Sequence, residues 1–166
     1  MRTRKVALGN VWAALVLMAL VGGTSALAQG NSVSASTVRN IAKEERNRIF
    51  VIDFYERVFN KHDLKAAEEL VAESYIQHNP NFPTGRAAFV EILAKRFKQN
   101  PEAHARIVRS AVDGDLVYLH THSLAYPGDR GRAIVNIFRV ADGMIVEHWD
   151  VAQPVPERSA NDNTMF

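Results

Sequence analysis

Five polar residues, His120, His122, Asn136, His148 and Asp150, stand among Val, Ile, Leu, Phe and Trp between Asp115 and Gln153. Their types suit proton transfer, with a carboxylate as base and imidazoles and an amide as donors. A sheet that buries an apolar face points such groups inward where a pocket uses them, because an unpaired polar group in the interior costs roughly 2–7 kcal/mol. Asp150 is the candidate general base, since a carboxylate in poorly solvated surroundings becomes a better base near neutrality. The bland alternative is an edge-of-sheet Asp paired to an arginine such as Arg132. His122, or His120, would hold Asp150 or stabilise an oxyanion, and the other histidine would be a wall residue.

Two imidazoles on one strand face also raise the question of a metal. Gly114-x5-His120-x-His122 matches the opening of a cupin metal motif, which then needs a Glu four or five residues after the second His. Ser123-Leu-Ala-Tyr-Pro-Gly128 contains none, and the second cupin motif is missing. Metal ligation would have to draw on His78 or His148. The reading adopted has neither metal nor cofactor.

The elements that position these groups follow from periodicity. Leu116–Ser123, Ala133–Val140 and Met144–Gln153 read as antiparallel strands, punctuated by Pro127-Gly128 and Asp142-Gly143. Residues two apart on a strand share a face, roughly 6.5–7 Å from one another. His120 and His122 therefore go with Tyr118, and His148 with Asp150. A three-residue loop with Gly143 left-handed pairs Val140 with Met144 and Asn136 with His148. It gathers Asn136, Phe138, His148 and Asp150 on one face and puts Arg139 and Glu147 on the other. A two-residue Asp-Gly loop would instead set Glu147 beside Phe138 and Asn136, so the first register is expected. Trp149 then faces away, as cover or as an interface residue.

Upstream, Asn47–Asn60 carries a wide apolar face, with Ile49, Ile52, Tyr55 and Phe59 on one stripe and Phe50, Phe54 and Val58 beside it. That is a helix closing over a concave sheet, with Tyr55 a candidate pocket residue. Asn60-Lys-His-Asp63 breaks it, His62 being solvated and Asp63 capping a second helix over 64–72. Ser74–Pro83 reads as a rigid, non-helical connection with His78 and Asn79 at its centre. Thr84 caps a third helix, Arg86–Gln99, and Arg106–Val112 is a strand turning at Asp113-Gly114. Three helices followed by about four antiparallel strands make an α+β layout.

The first 28 of the 166 residues read as a cleaved secretory signal: Arg2, Arg4 and Lys5, an apolar run over 6–23, then Ala26-Leu27-Ala28 before Gln29. Three of the 20 Lys and Arg residues and none of the 18 Asp and Glu residues fall there, so cleavage changes the formal charge from +2 to −1. That balance gives no case for nucleic-acid binding. No cysteine is present, which excludes disulfides and lipoprotein-type attachment. The expectation is a periplasmic or secreted protein with no stable membrane anchor after cleavage. It would carry a leader over 29–45, one domain over 46–153 and a tail over 154–166. The apolar end Met165-Phe166 suggests that the tail docks on the body or on a second subunit.

Tyr75-Ile-Gln-His-Asn-Pro80, Gly114-Asp-Leu-Val-Tyr-Leu-His120 and Asp142-Gly-Met-Ile-Val-Glu-His-Trp-Asp150 resemble the SnoaL-like polyketide cyclase group, within the superfamily of nuclear transport factor two. The resemblance runs from about Arg46 to Phe166. It implies a cone-shaped α+β barrel, three helices on a strongly bent antiparallel sheet, with a deep pocket and a homodimer. It also implies an aspartate, here Asp150, acting as base in an aldol closure without metal or cofactor, with His78 and His120 lining the pocket. The function expected is proton abstraction next to a carbonyl in a small apolar or aromatic ligand. Asp150, His122 and His120 would be catalytic, and His78, Asn79, Asn136, His148, Tyr55 and Tyr118 would contact substrate. The alternative is a non-catalytic periplasmic binding protein of the same fold. The export signal departs from the group, whose polyketide cyclases work beside cytoplasmic synthases.

Overall fold

The computed structural model describes residues 39–166. The expected signal peptide at 1–28 and the expected leader segment Gly30–Thr37 lie outside the described residues. Asn40 opens the first helix, α1 (Ile41–Tyr55), by accepting from the Lys43 N–H at 3.0 Å. A π-helical turn, Glu56–Asn60, continues it. Asp63 then caps α2 (Leu64–Leu70), its side chain accepting from the Ala66 N–H at 3.0 Å.

Next comes β1 (Val71–Gln77), a strand that takes Val71 and Ala72 from the expected second helix and the start of the expected non-helical connection; α3 (Arg86–Gln99) follows. Gly85 rather than Thr84 caps α3, at φ +99°. The Thr84 hydroxyl is already taken, because it accepts from the Gln77 N–H at 2.9 Å. The remaining strands are β2 (His104–Asp113), β3 (Leu116–Leu124), β4 (Arg132–Ala141) and β5 (Met144–Pro154).

The five strands form one open sheet in the order β1-β5-β4-β3-β2. Consecutive strands pair antiparallel from β2 to β5, whereas β1 runs parallel to β5 on the edge. Register shifts near Val108 and Val146 are bulges, and bulges bend and twist the strand that carries them. The helices cover one face of the sheet. Phe54, Val51 and Val58 of the first helical segment meet Val117, Leu119, Phe138 and Ile145 there, all nearly inaccessible to water. Phe54 and Phe138 touch edge to face, with centroids 5.7 Å apart. Ile49, expected on the buried stripe, is exposed.

The hairpin between β4 and β5 departs from both registers considered. Asp142 (φ +50°) and Gly143 (φ +73°) form a two-residue turn, so Ala141 opposes Met144 and Val140 opposes Ile145. Val146 then has no partner, and the ladder resumes with Arg139 opposite Glu147, Phe138 opposite His148 and Asn136 opposite Asp150. The bulge restores the sorting of faces that the longer loop would have given. Ile145 points inward before it, and His148 points inward after it.

Asn60, at the end of the π turn, clasps β2. Its amide donates to Ala105 O at 2.9 Å and accepts from the Ala105 N–H at 2.7 Å. Ala105 is buried, so truncating Asn60 to Ala strands a backbone donor. The expected destabilisation is about 1–3 kcal/mol by urea unfolding; an unchanged midpoint would contradict the clasp. His62, expected in solvent, instead stacks on Phe97 at 4.0 Å and bonds Ala103 O at 2.9 Å. Its φ of +53° turns the ring under the end of α3.

Candidate functional site

Strand alternation decides which polar residues reach the space under the helices. On β3 the buried set is Val117, Leu119 and Thr121, so Tyr118, His120 and His122 take the outer face. This corrects the placement expected for those three residues. Phe166 lies over both histidines, with centroids 5.7 Å from His120 and 4.1 Å from His122, and the His122 Nε2–H donates to Arg130 O at 2.8 Å. Partial burial, then the nearby Arg109 charge, lowers the His120 pKa. The terminal Phe thus docks on the body, one of the two ends considered for the tail.

His78 is also outside the pocket. It stacks on Trp149 with centroids 4.6 Å apart and bonds Glu147 at 2.8 Å. Glu147 in turn pairs with Arg139, whose guanidinium sits over Trp149 at 5.5 Å. The same period that sends His78 outward brings its neighbours Gln77 and Asn79 inward.

What the inner face does hold is a connected set of hydrogen bonds. The Tyr55 hydroxyl donates to Thr121 Oγ1 at 3.4 Å, and the Asn136 amide donates to the same oxygen at 3.3 Å. The two ring nitrogens of His148 lie 3.3 Å from Asn136 Oδ1 and 3.1 Å from Gln77 Oε1. The Gln77 amide donates to the Tyr75 hydroxyl at 2.9 Å. Gln77 Oε1 also accepts from the Asn79 N–H at 3.0 Å, and Asn79 Nδ2 donates to Asp150 Oδ1 at 2.6 Å. Among the described residues no buried side-chain nitrogen or oxygen lacks a partner.

The electrostatics follow from that enclosure. Burial, with a smaller push from the His78 charge, lowers the His148 pKa to about 4, so the ring is neutral at pH 7. A neutral imidazole has one N–H, so it donates to one of its two amide neighbours. Burial raises the Tyr55 phenol. It raises the Tyr75 phenol as well, with the Asp150 charge adding to the effect. Both phenols therefore remain protonated donors at neutral pH.

An inner cavity of about 80 Å³ sits against this set, lined by Tyr55, Phe59, Phe89, Asn136, His148 and Asp150. The π turn brings Phe59 to 4.6 Å from the Tyr55 ring, which forms part of the apolar wall. A second hollow of about 220 Å³ opens beside it past Arg96 and Ser123. Asp150 is half-buried, and its Oδ2 accepts no hydrogen bond among the described residues. Among the described residues it forms no ion pair with Arg132 or any other arginine. Of the expected site residues, the structure thus gathers Asp150, Asn79, Asn136, His148 and Tyr55. It adds Gln77, Thr121, Phe82 and Arg96, which the sequence reading passed over. Gln77 and Thr121 carried a usable signal, since each alternates with the histidine beside it. Among the described residues no group of three His, Cys, Asp or Glu side chains is placed to hold a metal ion.

A SnoaL-like domain model matches residues 51–148. No curated protein matches the chain. Among solved structures, a loop-truncation variant of IdmH is 25% identical, with TM-score 0.55 over 64% of this chain and 91% of that one. Wild-type IdmH, a candidate polyketide cyclase from Streptomyces antibioticus, is 23% identical, with TM-score 0.54 over 64% and 91%. A candidate ketosteroid isomerase from Kribbella flavida is 18% identical, with TM-score 0.58 over 72% and 86%.

Proposed function

The chain belongs to the SnoaL-like domain family, and from that premise we propose that it is an exported, cofactor-independent enzyme of the aldol-cyclase or isomerase type. Its reaction is removal of a proton next to a carbonyl in a small apolar or aromatic ligand. The observation that carries this reading is Asp150, with one oxygen fixed by Asn79 at 2.6 Å and the other unclaimed on the wall of a cavity with an aromatic and aliphatic side. Such a carboxylate is oriented without being neutralised, which is what a general base needs.

In the proposed step Asp150 Oδ2 takes the α-proton, the C–H bond breaks, and its electron pair moves onto the carbonyl oxygen as an enolate. The Tyr55 hydroxyl is the donor for that oxygen, because its present bond to Thr121 is long at 3.4 Å and easily exchanged. Asn136 and neutral His148 complete a polar wall around it. The enolate carbon then attacks a second carbonyl, whose alkoxide takes the proton from Asp150, or a conjugated dienolate takes that proton at its far carbon; either return restores the carboxylate and the first carbonyl. His120 and His122 have no part in this step, being on the outer face beneath Phe166.

The test is exchange of the α-protons of an aryl ketone in D2O, followed by proton NMR. Exchange faster than in buffer supports the reading, and saturable binding without exchange would point to a non-catalytic binder. Export is supported by Arg2, Arg4, Lys5 and the Ala26-Leu27-Ala28 site. A secreted form beginning at Gln29 would bear it out.

A homodimer through the outer sheet face is part of the same proposal. Val151 is 76% exposed, Ile76 48% and Val135 43%, an apolar group on a face otherwise ordered by Trp149 and Arg139. Val151→Asp is expected to turn the dimer into a monomer in light scattering, and a monomeric wild type would defeat this proposal.

A further inference from the structure

Two arginines stand at the mouth of the pocket outside any ion pair among the described residues. Arg96 of α3 and Arg132 of β4 both line the 220 Å³ hollow and the wider opening that leads to Asp150. Neither forms an ion pair among the described residues, whereas Arg39, Arg48, Arg57 and Arg139 each hold a carboxylate. The Arg96 guanidinium is 6.0 Å from the Phe82 ring centroid, which steadies it over the opening. Two carboxylates lie near the mouth, and neither pairs with these arginines among the described residues. Asp129 accepts from the Ala125 and Gly131 N–H groups at 2.9 and 3.0 Å, and Asp150 is held by Asn79.

We propose that Arg96 and Arg132 form a carboxylate subsite, so that the substrate is an oxo acid whose apolar end enters the inner cavity while its carboxylate stays at the mouth. This rests on the proton-abstraction reading for its orientation, because the carbonyl then lies between the guanidinium pair and Asp150. Guanidinium groups bind carboxylates through paired N–H donors, a geometry that ammonium groups do not reproduce. The arrangement also resolves an electrostatic conflict. An anionic substrate approaching the Asp150 carboxylate would be repelled, and two cations at the entrance offset that repulsion. The inner wall of Phe59, Phe89 and Ile92 suits an aryl or short alkyl end.

The experiment uses phenylpyruvate and its methyl ester, which share the same carbonyl and α-carbon and differ in charge. Binding is measured by calorimetry and α-proton exchange by NMR. The wild type is expected to bind the acid about tenfold more tightly than the ester or better. Arg96→Met and Arg132→Met should each collapse that preference toward one with the melting temperature retained, and Arg132→Lys should recover part of it. Equal affinity for acid and ester, a preference untouched by both substitutions, or no binding of either compound would overturn the subsite. Exchange of acid and ester at equal affinity, lost in Asp150→Asn, would remove the subsite and keep the base. Arginine-dependent binding of the acid with no exchange would keep the subsite and remove the base.

Discussion

Asp150→Asn is expected to slow α-proton exchange by about a thousandfold, the middle of the range for losing a positioned base. The substitution replaces one carboxylate oxygen with an amide nitrogen of nearly the same size. Its remaining oxygen still accepts from Asn79, whose 2.6 Å bond marks the position held in the native chain. The fold and the ligand affinity should therefore survive, since Asp150 packs at the pocket wall and not in the core. What is lost is the lone pair that receives the proton. The measurement is the NMR exchange rate at saturating ketone, alongside a thermal melt. A melt lowered as far as the rate would mean that Asp150 holds the strand together and is not a base.

His148 sets the second large effect, on stability against pH. The buried ring has its pKa lowered from 6.5 to about 4. Between those values the unfolded chain takes up a proton that the folded chain refuses. Stability from this residue is therefore complete above about pH 6.5 and falls as the solution is acidified toward pH 4. The total loss is about 3 kcal/mol. Urea unfolding at pH 7.5, 5.5 and 4.5 measures it, with His148→Gln as reference. Glutamine retains an amide between Gln77 and Asn136 and cannot be protonated. The variant should lose less stability on acidification than the wild type by about that amount. Parallel pH slopes in the two proteins would show that the ring is not held neutral by burial.

The chain announced its fold more clearly than its site. Alternation over Leu116–Gln153 and the helical run Arg86–Gln99 gave strands and helix close to those observed, because long periodic segments bury one face and tolerate little slippage. The edge strand β1 takes the last two residues of the expected second helix and the start of the expected extended connection, because Pro80 and Pro83 just beyond it mark a connection more strongly than its short run marks a strand. The histidines of β3 were the larger error. Periodicity put His120, His122 and Tyr118 on one face but could not say which. The apolar alternates Val117 and Leu119 take the inner face together with Thr121, which leaves the outer face to the histidines. His78 misled in the same way, drawing attention from Gln77 and Asn79 on either side. Asn136, His148 and Asp150 were placed together through a register that the chain does not use, with Val146 making up the difference.

That single unpaired valine acts as a phase shift in the strand. Before it, odd-numbered positions face the helices, as Ile145 does; after it, the even positions His148, Asp150 and Ala152 do. Everything distal to Val146 is read in the opposite frame from everything proximal to it. A chain one residue shorter at this point would keep its turn and its composition, yet present Trp149 and Val151 to the cavity and hand Asp150 to the solvent. The chemistry of the pocket is thus encoded less in which residues β5 contains than in an odd or even count from the hairpin.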